Sequence, residues 1–107
     1  MSDIKALIEK AQNAAISATA EYIKQHPDQW YPCGFAWVNI KPARGPLVNE
    51  MKKMGLGRRD EYYGGWTVWN PSQHSTQCMD AKAAGARAFS DVLKEAGYNA
   101  YSATRMD

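Results

Sequence analysis

Apolar residues in the first quarter of the chain recur at helical spacing. Ile4, Leu7, Ile8, Ala11, Ala14 or Ala15, Ala18, Tyr22 and Ile23 form one stripe, with Asp3, Lys5, Glu9, Lys10, Gln12, Asn13 and Glu21 mostly between them. That spacing predicts an amphipathic helix. Pro27 offers no amide N–H and disfavours helical geometry at His26, so the helix should end between Lys24 and His26. The period then shortens to two in GFAWVNIK, residues 34–41, where Phe35, Trp37 and Asn39 face one way and Ala36, Val38 and Ile40 the other. Both sets are mostly apolar, which predicts a central strand covered on both faces.

Helical spacing returns in PLVNEMKKMG, with Leu47, Val48, Met51 and Met54 inward and Lys52 and Lys53 outward. Pro46 suits a first helical turn, where its missing N–H would have no partner, and Gly55 or Gly57 suits the stop. GWTVWN, residues 65–70, predicts a second strand. AKAAGARAFSDVLKEAG predicts a third helix with Ala81, Ala84, Gly85, Ala88, Phe89, Val92, Leu93 and Ala96 on one face. The small residues in its first half permit close approach to the sheet or to another helix. Ser75 or Thr76 would cap this helix, or Asp80 if it starts late, and Gly97 would end it. YNAYSATR, residues 98–105, predicts a third strand.

The order α-β-α-β-α-β predicts an α/β fold in one small domain over residues 1–107, with an N-terminal helix (1–27) and a β-α-β-α-β core (33–107). Three helices would pack on a three-stranded sheet, parallel or mixed, because both later helical connections are long enough for parallel crossovers. Length and composition agree with this: 107 residues suffice for one domain, and 45% hydrophobic with 22% charged residues is ordinary globular composition. No run approaches the roughly 20 apolar residues that span a bilayer. The N-terminus has neither a basic region nor an apolar region of the signal-peptide kind. A cytoplasmic location follows as the expectation, and with it thiols rather than a bridge for Cys33 and Cys78. Ligand spacing for a metal is poor, and no cofactor motif is present, so no metal and no cofactor is expected.

The formal net charge is only +2, yet it is unevenly spread. Lys41, Arg44, Lys52, Lys53, Arg58 and Arg59 stand against a single acid, Glu50, between residues 31 and 59. Arg44 precedes a helix N-terminus, where free N–H groups favour an anion. Arg58 and Arg59 follow the same helix, and guanidinium groups bind phosphate through two parallel bonds. The stretch is neither a P-loop nor a dinucleotide fingerprint. Two readings stay open for it: a phosphate site, or a basic cluster that the helix C-terminus favours anyway.

The aromatic residues leave a similar choice. Trp37, Trp66 or Trp69, and Tyr101 lie on strands, and would fill the core, form the seam of a homodimer, or stack ligand rings if one sheet face is bare. Tyr62 and Tyr63, before Gly64-Gly65, lie on a loop and are candidates for ligand contact, with Arg105 near the end of the last strand as a further source of charge. The polar loop NPSQHSTQCMD supplies Ser72, His74 and Ser75 as hydrogen-bonding candidates. Ligands in β-α units commonly sit beyond strand C-termini, which would bring this loop beside Arg44 if the two strands are parallel. The same assumption separates Cys33 from His74 and argues against a nucleophile–base pair, and no paired carboxylates suggest hydrolysis.

GFAWVNIKP, YYGGWTVWNPS and DAKAAGARAFSDVLKEAGYNAYSATRMD together resemble a family of small proteins encoded by tailed phages and found in metagenomes. The resemblance covers residues 33–107; the terminal Ser102 to Asp107 run departs from the family pattern by one residue of spacing. It implies a phage-linked, host-directed setting in a bacterial cytoplasm, and carries over no activity and no functional residue. The expectation is therefore a non-enzymatic binding protein for a phosphate-bearing ligand, either a nucleotide or a single-stranded nucleic acid. The site would draw on Arg44, Arg58, Arg59, Arg105, Tyr62, Tyr63, Ser72, His74 and Ser75. The alternative is a homodimeric module that uses an aromatic sheet face against itself or a host protein.

Overall fold

A computed structural model describes residues 2–26, 34–62, 64–74 and 78–106. Helix α1, Ser2–Gln25, ends where Pro27 requires, and buries Ile8, Ala11, Ala15 and Thr19 on one stripe. Strand β1 is Gly34–Lys41. Gly45, at φ 107°, turns the chain into α2, Pro46–Lys53, with Pro46 in the first turn. The end of α2 is a Schellman turn: with Gly55 at φ 69°, Leu56 N–H donates to Met51 O and Gly55 N–H to Lys52 O. Helix α3, Met79–Glu95, closes in the same way around Gly97 at φ 93°, with Tyr98 N–H donating to Leu93 O. Its N-cap is Cys78, with no side-chain cap bond, and Asp80 lies inside the first turn; the expected caps Ser75 and Thr76 fall outside the described residues.

Among the described residues the sheet has four strands rather than three. Besides β1 it contains β2, Arg58–Arg59, β3, Trp66–Trp69, and β4, Asn99–Met106. Spatial order is β2-β3-β1-β4, and every neighbouring pair is antiparallel. The additional strand explains the departure from a parallel sheet. β1 and β2 are both antiparallel to β3, so the crossover through α2 joins two strands of one direction, and β3 fills the place between them. The crossover through α3 likewise joins β3 to β4, two strands of one direction, with β1 between. Two interleaved units of this kind make the split β-α-β arrangement. A two-residue strand of arginines has no readable period, so the sequence leads α2 straight to β3 and gives β3 the wrong direction relative to β1, its true neighbour.

That correction moves the loops. Because β1 and β3 run oppositely, the turn after β1 that carries Arg44 and the turn after β3 that carries Ser72 and His74 lie at opposite ends of the sheet. Asn70 N–H donates to Ala36 O at 2.9 Å, which fixes residues 70–74 beside the start of β1. The direction argument that set Cys33 apart from His74 is thereby overturned, although Cys33 itself is outside the described residues.

Among the described residues the helices cover one sheet face only, against the expectation that β1 is covered on both. Even-numbered Ala36, Val38 and Ile40 join Trp66, Val68 and Ala100 in the core, under Phe89 and Leu93 of α3 and Leu47, Val48 and Met51 of α2. Helix α1 does not reach the sheet as an isolated arm: its small residues lie on those of α3. Thr19 Oγ1 donates to Ala81 O at 2.8 Å, and a Cβ at Gly85 would overlap Thr19 Oγ1 and come within 3.1 Å of Ala15 O. Among the described residues, no helix is long and apolar enough to cross a membrane.

Candidate functional site: the uncovered sheet face

Strand register places the odd-numbered side chains of β1 together on the face without helices. Trp37 pairs with Trp69 on one side and Ala103 on the other; Asn39 pairs with Thr67 and Tyr101; Phe35 pairs with Arg105. On β2, Arg58 pairs with Thr67 and so shares this face. The rings touch: Trp37 and Trp69 have centroids 4.8 Å apart, and Phe35 meets Trp69 edge-on at 6.4 Å. Phe35, Trp69 and Tyr101 are 43%, 44% and 39% exposed, whereas Trp66, one residue out of phase on β3, is 6% exposed and belongs to the core. Period-two alternation thus divides the tryptophans between two environments. Cations rim the rings: Lys41 Nζ lies 6.0 Å from the Tyr101 centroid, and Lys82 reaches from α3 to donate to Gly34 O while its Nζ stands 5.6 Å from the Phe35 centroid.

The β2–β3 turn folds over one end of this surface. Asp60 Oδ1 accepts the Tyr62 N–H at 2.9 Å, a local Asx turn, and Asp60 Oδ2 accepts from Thr67 Oγ1 at 3.2 Å. Asn39, 1% exposed, donates from Nδ2 to Gly64 O at 2.9 Å and to Thr67 Oγ1 at 3.2 Å. Its Oδ1 accepts no hydrogen bond among the described residues. The backbone closes above it at Gly65, φ 81°, where a Cβ would stand 2.5 Å from Asn39 Oδ1 and 2.8 Å from Ile40 O. Tyr62, carried on this turn, is 85% exposed.

Two grooves flank the turn and share Asp60, Tyr62 and Trp69 as walls. One, about 460 Å³, adds Arg58, Arg59, Glu61 and Thr67; the other, about 430 Å³, adds Trp37 and Arg105. Of the residues expected to bind, Arg58, Arg59, Tyr62 and Arg105 therefore meet along one surface. Arg44 is exposed at the end of β1 and lines neither groove. Ser72 is buried; its Oγ donates to Asn70 Oδ1 at 3.3 Å and accepts the His74 N–H at 3.4 Å, while His74 O accepts from Asn70 Nδ2. That loop is closed on itself and lies outside both grooves. Tyr63 and Ser75 are outside the described residues. Asp60, Thr67 and Asn39 are not among the residues the sequence suggests for the site; Tyr62 before Gly64-Gly65 marks a loop, but not the strand face it folds onto. Among the described residues no group of three His, Cys, Asp or Glu side chains is placed to hold a metal ion.

No family model matches this chain, and neither a curated protein nor a solved structure matches it. Fold and site define a small α/β domain whose antiparallel sheet is sheathed by helices on one side and presents aromatic and guanidinium side chains on the other.

Proposed function

We propose that this protein is a non-enzymatic binding protein that holds a phosphate-bearing ligand with aromatic rings, a nucleotide or a single-stranded nucleic acid, on the uncovered sheet face. The observation that carries the reading is the Trp37–Trp69 pair, Trp37 half-buried and Trp69 exposed, lying between Arg58 on one flank and Arg105 on the other. Every base has a π-face, and stacking on an aromatic side chain is worth about 1–3 kcal/mol per base. Guanidinium groups beside such a platform serve phosphate. The setting proposed with it is the one implied by the resemblance, a phage-linked protein in a bacterial cytoplasm. Titration of the protein with single-stranded oligonucleotide, followed by tryptophan emission, tests the reading: saturable quenching that weakens steeply with added salt is the expected result. Emission unaffected by any nucleotide or strand counts against it.

A second reading rests on β4. Among the described residues this eight-residue strand is an edge, paired with β1 alone, and an unprotected edge invites another strand. With the adjacent rings it would make the seam of a homodimer or a contact with a host protein. Sedimentation at several salt concentrations separates the two, since an aromatic seam keeps its strength where phosphate binding fades.

A further inference from the structure

Resting on the reading above, we infer that the occupant of this face is a single strand of two or more nucleotides that crosses the sheet from β2 to β4, rather than a free mononucleotide. The two grooves share the walls Asp60, Tyr62 and Trp69, so they adjoin, and a ligand that passes over those walls occupies both as one track. Arg58 borders only the first groove and Arg105 only the second. Charge along the track therefore runs positive, negative, positive: guanidinium at each end, with Asp60, a wall of both grooves, between, and Glu61 beside it in the first groove. Asp60 is held in place by its bonds to Tyr62 N–H and Thr67 Oγ1. A ligand complementary to that order carries phosphate at both ends and uncharged rings in the middle. One mononucleotide presents its phosphate to one end only.

The dimensions agree. β2 and β4 are three strand intervals apart, and intervals of about 4.8 Å put their axes roughly 14 Å from one another. Stacked nucleotides advance about 3.4 Å each and splayed ones more, so roughly two to four nucleotides cover the distance. Ring surfaces are also plural. Besides the Trp37–Trp69 pair, Tyr62 lines both grooves at 85% exposure and offers a second place for a base. Duplex does not fit this scheme, because its base faces are already stacked on one another.

The test compares adenosine monophosphate, a four-nucleotide adenosine strand and a blunt duplex of mixed sequence, each titrated against the intact chain over a series of NaCl concentrations. The strand is expected to bind about tenfold or more tighter than the mononucleotide, the order of one further stacked base. The duplex should bind no better than the mononucleotide. Log affinity for the strand should fall with log salt at a slope near −1.4 for two phosphates, and Arg58→Ala and Arg105→Ala should each remove about 0.7 of that slope. Both side chains are exposed, so thermal midpoints of the variants should match the parent. Glu61→Gln should tighten the strand. Equal affinity and equal slope for mononucleotide and strand would overturn this inference while leaving a phosphate-binding face intact. No binding of either overturns both, as does a dimer whose tryptophans are shielded from iodide quenching.

Discussion

Trp37 and Trp69 stand directly opposite one another on neighbouring strands, ring centroids 4.8 Å apart and tilted by 43°, on the side of the sheet opposite the described helices. Trp69 is 44% exposed, so its ring contributes less to the core than its size suggests. Trp69→Ala is expected to weaken strand binding by roughly 1–3 kcal/mol while lowering stability by much less than the 3–5 kcal/mol typical of a buried Trp. Parallel oligonucleotide titration and urea unfolding of the variant check both halves of the statement.

Arg44 supplies the control. It lies at the far end of β1 from the Ser72–His74 loop and borders neither groove. Arg44→Ala should leave oligonucleotide affinity unchanged, whereas Arg58→Ala should weaken it by about the 1.5–3 kcal/mol of a hydrogen bond to a charged group. A loss at Arg44 as large as that at Arg58 would move the site to the α2 N-terminus.

Gly85 keeps α1 on α3. A helix-interior glycine replaced by alanine normally gains about 1 kcal/mol in helix propensity. Here the added Cβ meets Thr19 Oγ1, Ser72 Cβ at 3.0 Å and Ala15 O at 3.1 Å. Gly85→Ala is therefore expected to destabilise, by about 1–3 kcal/mol as for an overpacked core. Thermal unfolding gives the sign directly, and a raised midpoint would mean that α1 is not seated this closely.

Asn39 ties the β2–β3 turn to the sheet through Gly64 O and Thr67 Oγ1. Asn39→Ala removes both bonds, for about 1–3 kcal/mol of lost stability. Asn39→Asp should cost more, since it also places a carboxylate on the far side of Thr67 from Asp60. Chemical denaturation of the two variants side by side ranks them.

Adjacent glycines of this turn make a paired prediction. Gly64 and Gly65 both have positive φ, at 76° and 81°, but a Cβ at Gly64 meets nothing within 4 Å. Gly64→Ala should cost about 1 kcal/mol from backbone strain alone. Gly65→Ala adds a clash with Asn39 Oδ1 and Ile40 O and should cost distinctly more. Equal losses in calorimetric stability would contradict the close packing of Asn39 beneath Gly65.

Much of the fold could be read locally. Helical spacing and Pro27 located α1; alternation located β1 at residues 34–41; Pro46, Gly55 and Gly97 marked the ends of α2 and α3. These signals depend on side chains a few positions apart, so a linear chain carries them. The candidate residues Arg58, Arg59, Tyr62 and Arg105 were also legible, because charge and loop position are local properties.

By itself, then, the chain's own pattern determined three helices, the glycine stops of α2 and α3, three of the four strands found among the described residues, and the residue types available for binding. Tertiary structure alone decided which strands are neighbours, which face stays bare and which candidates meet. The reason lies in the backbone. Ladder hydrogen bonds join N–H and C=O groups that are the same in every residue, so the pairing of Arg58-Arg59 with Trp66-Thr67 leaves no mark in the side chains of so short a strand. Its insertion reverses β3 relative to β1, parts Arg44 from Ser72 and His74, and gathers Trp37, Trp69 and Arg105 instead. Likewise, two apolar faces on β1 look alike in sequence; only the count and placement of helices shows that one is core and the other is surface.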